Sequence, residues 1–148
     1  MNLSNEKKVS LELNSVDLIK YALFKDYHLP KEFAINITQE RILMNVKNSM
    51  NLSMVSISRA IGLEKGPFSK SVDKLEELDL LQRVRSSSDK RLVHLNLTPK
   101  GDLLAKEVEM SMENHFSEQI KTLNEQQLKA FFDSLETLKK TAEILISK

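Results

Sequence analysis

Residues 53–78 read SMVSISRAIGLEKGPFSKSVDKLEEL, and residues 80–98 follow as LLQRVRSSSDKRLVHLNLT. In the first stretch Ser53 is placed to cap a short helix whose Ile57, Ala60 and Ile61 form an apolar face, and Gly62 falls where a left-handed C-terminal residue belongs. Leu63, Glu64, Lys65 and Gly66 make a tight corner. Pro67 then suits the first position of a second helix, because the N–H it lacks would have no partner there. Phe68, Val72, Leu75 and Leu78 recur at spacings of four, three and three, which gives that helix one buried stripe. Ser69, Lys70, Asp73 and Lys74 lie on its other side. Two short helices joined by a glycine-containing corner match a helix-turn-helix, or else an αα-hairpin that merely packs.

The second stretch shifts the balance. Asp79 ends the helix, LLQRVR alternates as a strand, SSSDK is a polar tip, and RLVHLNL returns with Leu92 or Val93, Leu95 and Leu97 alternating. A helix-turn-helix followed at once by a β-hairpin is a winged helix. The expected fold class is therefore mainly α with a small β-hairpin wing, flanked by helices on both sides.

Outward from the wing, Thr98 and Pro99 supply a capping side chain and a first-turn proline for a helix that reaches Ser117 or beyond. A final helix starts at Asn124, with Gln127 placed for a reciprocal capping bond. Leu128, Phe131, Leu135, Leu138, Ala142 and Leu145 follow at spacings of 3, 4, 3, 4 and 3, a seam that needs a long partner helix. The N-terminal helix is a candidate, from the same chain or from a second copy. Upstream, Leu11, Leu18, Tyr21 and Ala22 sit at mixed helical spacings until Pro30, and Thr38 is placed to cap a helix through Asn48 with Ile42, Leu43 and Val46 inward. The reading is one domain over 1–148, with a winged core at 36–98 between helical segments at 7–30 and 99–148.

Composition narrows the function. With 41% apolar and 29% charged residues the chain is in the range of globular proteins, and no apolar run approaches the roughly 18 to 20 residues that span a bilayer. The first fifteen residues lack the apolar core of a secretory leader, so a cytoplasmic location is expected. Zero cysteines exclude a disulfide framework, a thiolate metal site and a thiol switch. His28, His94 and His115 are isolated, and no motif of nucleophilic, zinc or phosphate-loop chemistry occurs, so neither an enzyme, a metal nor a cofactor is expected. The net charge of +1 hides an asymmetry: residues 52–100 hold nine Lys/Arg against six Asp/Glu, and residues 101–148 hold six against nine. A basic centre beside an acidic end fits a surface that meets nucleic acid.

Residues 52–101, LSMVSISRAIGLEKGPFSKSVDKLEELDLLQRVRSSSDKRLVHLNLTPKG, resemble the MarR family of bacterial transcription regulators. The likeness rests on a small-residue helix ending in GL, a VDKLE recognition helix, and a wing closing in D-x-R and LTPKG. It implies a homodimer built from the first and last helices, bound to double-stranded DNA. It further implies a wing arginine, here Arg91, that enters the minor groove and is held by Asp89. A small aromatic effector in the cleft between the dimer helices and the winged helix would relieve repression in such a protein.

Elementary chemistry fills in the remaining DNA-facing candidates. The first turn of the recognition helix meets base edges in a helix-turn-helix, which makes Ser69 and Lys70 the readers. Lys65, Lys70 and Lys74 suit phosphates or a guanine edge, Arg59 and Lys90 suit phosphates, and Glu76 and Glu77 read as solvated charges. The family more often has arginine at the position of Lys70 and serine or threonine at Pro67. Without DNA, Asp89 and Arg91 would simply close a solvent-exposed hairpin, and the winged helix would serve as a protein-interaction module. A continuous positive strip through helix and wing separates the two readings.

Overall fold

The structure, a computed structural model, describes residues 2–147. In chain order it contains α1 (Asn5–Glu12), α2 (Ser15–Phe24), a 3-10 turn at Lys31–Phe33, α3 (Ile37–Asn48), α4 (Met54–Ile61), α5 (Lys65–Glu77), β1 (Leu81–Arg85), β2 (Val93–Leu97), α6 (Pro99–Ile120) and α7 (Glu125–Ser147). The chain divides into two compact units: Leu29–Ser111 is one, and the segments up to His28 and from Met112 onward form the other. None of the helices among the described residues is long and apolar enough to cross a membrane.

In the unit Leu29–Ser111, α3, α4 and α5 pack with the two-stranded antiparallel hairpin β1-β2, whose register pairs Leu81 with Leu97 and Arg85 with Val93. Ile42 and Leu43 from α3, Phe68, Val72 and Leu75 from α5, and Leu81 from β1 are the main fully buried side chains. Each such residue contributes roughly 1.5–3 kcal/mol by leaving water. Ser53 caps α4 by accepting from the Ser56 N–H, and Gly62 ends it at φ 74°. Here the sequence reading needs one change: Ala60 is exposed and the third buried position is Ser58, whose hydroxyl donates to the Leu63 carbonyl at 2.8 Å.

Three boundaries also move. Asn36, not Thr38, caps α3, because Asn36 and Gln39 exchange side-chain-to-backbone bonds in a reciprocal cap. Helix α5 starts at Lys65 with Glu64 as its cap residue, so Pro67 occupies the third helical position rather than the first. Proline is accepted there for the same reason, since the whole first turn lacks intrahelical N–H partners. The wing tip runs on through Leu92, so Arg91 and Leu92 belong to the turn and β2 begins at Val93.

At the base of the wing, Asp79 adopts a left-handed backbone at φ 59°, and α6 begins immediately after β2. Thr98 caps α6 as its sequence suggests, its Oγ1 accepting from the Gly101 N–H at 2.9 Å. Gly101 is required by contact rather than by torsion, for a Cβ there would sit 1.8 Å from the Leu80 carbonyl oxygen.

The second unit holds α1, α2, the end of α6, and α7. The N-terminal segment is two helices, broken at Leu13 and Asn14, with the Ser15 hydroxyl donating to the Glu12 carbonyl at 2.6 Å. Phe24, Tyr27, His115 and Phe116 form a closed set of edge-to-face contacts with centroids 5.1 to 6.2 Å apart. Asn124 and Gln127 exchange their capping bonds at 2.8 and 3.0 Å at the start of α7. Along α7, Leu128 and Phe131 are half-buried, whereas Leu135, Leu138, Ala142 and Leu145 are exposed.

One buried charge makes the first unit pH-sensitive. Glu40 on α3 is 3% exposed, and burial pushes its carboxyl up to about 7 against the partial offset of the neighbouring Arg41. The unfolded chain releases this proton near 4.5, so between that pH and about 7 the folded state binds more protons and its stability falls as pH rises. The loss levels off above the folded value, at about 3 kcal/mol. Glu40→Gln is expected to flatten the stability profile over this window and to be the more stable protein at pH 8. Parallel denaturation midpoints for the two proteins from pH 4 to 8 would contradict the assignment.

Candidate nucleic-acid interface

The wing tip is a hydrogen-bonded turn. The Ser86 hydroxyl accepts the backbone N–H groups of Ser88 and Asp89 at 3.3 and 3.2 Å, and the Ser86 N–H donates to the Leu92 carbonyl at 2.9 Å. This fixes Asp89 with its carboxylate toward Arg91. Asp89 Oδ1 accepts from both the backbone N–H and the Nε of Arg91 at 3.0 and 3.1 Å, and Oδ2 accepts from the Arg91 Nη2 at 3.0 Å. The two-point pairing is the arrangement that best fits a planar guanidinium to a carboxylate.

Its electrostatic consequence is mutual. The Arg91 side-chain and backbone hydrogen bonds hold the Asp89 carboxyl below the usual carboxylate range, and the Asp89 hydrogen bond raises Arg91. Both groups stay ionised at every physiological pH. The Arg91 side chain nevertheless remains 90% exposed, so its outer face is oriented yet free to meet an anion.

The other sequence-selected cations are distributed along the same unit. Arg59 on α4, Lys65 and Lys70 on α5, and Lys90 in the tip are all exposed, and none of their side chains joins an ion pair among the described residues. Lys74 differs, for its ammonium lies 3.7 Å from the Glu77 carboxylate. Ser69 is half-buried beside Lys70 in the early part of α5.

The arrangement missing from the sequence reading is an arginine between wing and helix. Arg83 on β1 pairs its Nη1 with Glu76 Oε1, donates from Nη2 to Asp73 Oδ1 at 2.7 Å, and approaches the Ser69 carbonyl from Nη2 at 3.5 Å. The backbone N–H of Arg83 also donates to Glu76 Oε2 at 3.2 Å. Glu76 is therefore a structural partner and not a solvated charge, whereas Glu77 is exposed. The available signal was three residues on one helical stripe, Ser69, Asp73 and Glu76, followed by an arginine in the next strand. Only the packing of strand on helix turns that spacing into contact.

Comparison with known proteins gives this geometry a context. Residues 35–93 match the model described as the MarR family. A curated relative, the HTH-type transcriptional regulator SarZ of Staphylococcus haemolyticus, is 27% identical over 99 residues. That match covers 67% of this chain and 65% of the relative, just under two thirds of its length. Among solved structures, Streptococcus pneumoniae FabT in complex with DNA superposes with a TM-score of 0.57 at 23% identity, over 95% of this chain and 96% of that one. Bordetella bronchiseptica BpsR, whose DNA binding is regulated by 6-hydroxynicotinic acid, superposes at 0.60 and 21% identity over 88% and 98%. The fold is that of the MarR-type winged-helix structures.

Proposed function

We propose that this chain, whose residues 35–93 form a winged helix of the MarR family, is a sequence-specific DNA-binding repressor acting as a homodimer on a pseudo-palindromic operator. The observation that carries the reading is the fork-held, 90% exposed Arg91 at the wing tip, on the same unit as the exposed cations Arg59, Lys65, Lys70 and Lys90, which join no ion pair among the described residues. A guanidinium presented edge-on suits the negative potential of a narrow minor groove, while lysines suit phosphates. Ser69 and Lys70 then fall to the base edges, and Lys74, already balanced by Glu77, contributes a weaker phosphate contact.

Dimerisation is supported by apolar surface that the single chain leaves uncovered. Leu135, Leu138 and Leu145 on α7 are exposed, as is Leu18 on α2, and a groove of about 420 Å³ between α2 and α7 is lined by Val16, Ile19 and Phe131 as well. A second copy of α1, α2 and α7 is the partner this surface fits, through the seam from Leu128 to Leu145. An effector site is supported within the unit Leu29–Ser111 by an open cavity of about 720 Å³ lined by Phe33, Leu78, Leu80 and Leu104 with Glu32 and Glu107. Its apolar lining suits a small aromatic ring, and Lys100 lines it together with the two carboxylates, so polar groups of either kind on that ring would find a partner.

Selection of bound fragments from random duplex DNA tests the class directly and yields the half-site. Enrichment of an inverted repeat is the expected result, whereas no enrichment at low salt would leave the winged helix as a protein-interaction module. On the enriched duplex, Arg91→Ala should weaken binding by about 1–3 kcal/mol and Asp89→Ala by less, since Asp89 only orients its neighbour. Wild-type affinity in a folded Arg91→Ala protein would remove the wing from the interface.

Leu138→Glu places a charge in the middle of the exposed seam, where a dimer would bury it. Light scattering is expected to report a dimer for the native chain at tens of micromolar and a monomer for this variant, with unchanged helical circular dichroism. A native monomer would defeat the dimer.

A further inference from the structure

We infer that Arg83 is a positioning residue for DNA binding, an internal strap that fixes the wing against the recognition helix so that their two holds on one duplex are energetically coupled. The inference rests on the DNA-binding reading above and adds a residue that touches no DNA. Ser69, Asp73 and Glu76 lie at spacings of four and three on α5, which puts them on one stripe facing β1. The guanidinium of Arg83 reaches all three levels of that stripe, through the Ser69 carbonyl, the Asp73 carboxylate and the Glu76 carboxylate. Its own backbone N–H is held by the second oxygen of Glu76. Strand and helix are thus joined through both main chain and side chain at a single residue.

Two consequences follow from this placement. The strap acts close to both candidate contacts: Ser69 immediately precedes Lys70, and the strand continues from Arg83 to Arg85, whose Nη1 donates to the Lys90 carbonyl inside the wing tip. A change in the angle between strand and helix would therefore displace Arg91 relative to the first turns of α5. The strap also changes the charge seen by a duplex. The helix Lys65–Glu77 carries three lysines and three carboxylates, and Arg83 is positioned to neutralise two of the latter. Lysine cannot reproduce this, because a single ammonium lacks the planar fork that spans two carboxylates and a carbonyl.

The test is a double-mutant cycle on the duplex enriched by the selection, pairing Arg83→Gln with Arg91→Ala. In the native background Arg91→Ala is expected to weaken binding about fivefold or more. In the Arg83→Gln background the same change should cost at least about threefold less, because an unstrapped wing no longer delivers Arg91 to its groove. Equal fold-losses in the two backgrounds would overturn the inference, since a merely structural Arg83 would lower affinity without coupling to the wing. Glu76→Gln, which leaves every cation in place, gives the second arm and replaces Arg83→Gln in the cycle should that variant not fold. Positioning predicts weaker binding and a reduced Arg91 effect for Glu76→Gln, whereas tighter binding would mean that released Arg83 contacts phosphate itself and would overturn it. If the native protein binds no duplex at all, the DNA-binding reading fails; if it binds and the cycle is additive, only the strap fails.

Discussion

Three consecutive carbonyls just past the end of α5, those of Leu78, Asp79 and Leu80, decide how the winged helix closes. They lie outside the ladder of the helix, whose own last carbonyls are taken by the N–H groups of these same three residues, so their donors must come from elsewhere. Here the four residues 98–101 supply them together. Lys100 Nζ donates to Leu78 at 3.0 Å, the Thr98 hydroxyl to Asp79 at 2.6 Å, and the Thr98 N–H to Leu80 at 3.1 Å. Gly101 completes the joint by having no side chain, since the Leu80 backbone occupies the space a Cβ would need. The run Thr98-Pro99-Lys100-Gly101 is thus a physical unit: a hydroxyl that both donates and caps, a proline suited to a first turn, a cation at a helix end and a glycine of necessity. Through it the base of the wing, the end of α5 and the start of α6 share one set of hydrogen bonds.

The wing is held at more than this joint. Two strands alone are marginal in water, and here β2 packs on α3 and α4, with His94 bridging to Ser53. Arg83 adds a polar attachment to α5 two residues along β1, and its position follows from the pleat, because Leu81 and Arg83 are alternate residues of one strand and share a face. Leu81 is buried against the core while Arg83 meets the carboxylates of α5. The partly buried pairing with Glu76 is worth more than the exposed pair of Lys74 and Glu77, whose geometry is a single contact at 3.7 Å in full solvent.

Much of this was legible in the sequence where a local rule sufficed. Ser53, Gly62, Thr98, Asn124 and Gln127 each act within four residues of their own position, and each lies where its chemistry indicated. The misreadings share a different cause. Asn36 and Thr38 are both capping residues two positions apart, and only the reciprocal bond with Gln39 chooses between them. Pro67 is equally tolerable at any of the first positions of α5, so it could not fix where the helix begins. Arg83 was invisible because its partners stand seven, ten and fourteen residues upstream, across the change from helix to strand, where no single period applies. The D-x-R pair at Asp89 and Arg91 was legible for the opposite reason, being a contact across two residues.

The seam of α7 shows how far periodicity alone carries. Its spacing of three and four is continuous from Leu128 to Leu145, yet burial within the chain is not: the first two positions are half-covered and the last four are exposed. An apolar stripe pays no energetic dividend until something excludes water from it, so the period records a requirement and not its fulfilment. The helix α2 shortens the supply of covering surface, because the break at Leu13 and Asn14 leaves it only ten residues against the twenty-three of α7. At 1.5 Å per residue the shorter helix reaches less than half the length of the longer one. The uncovered remainder of α7 is the surface that the proposed dimer would bury.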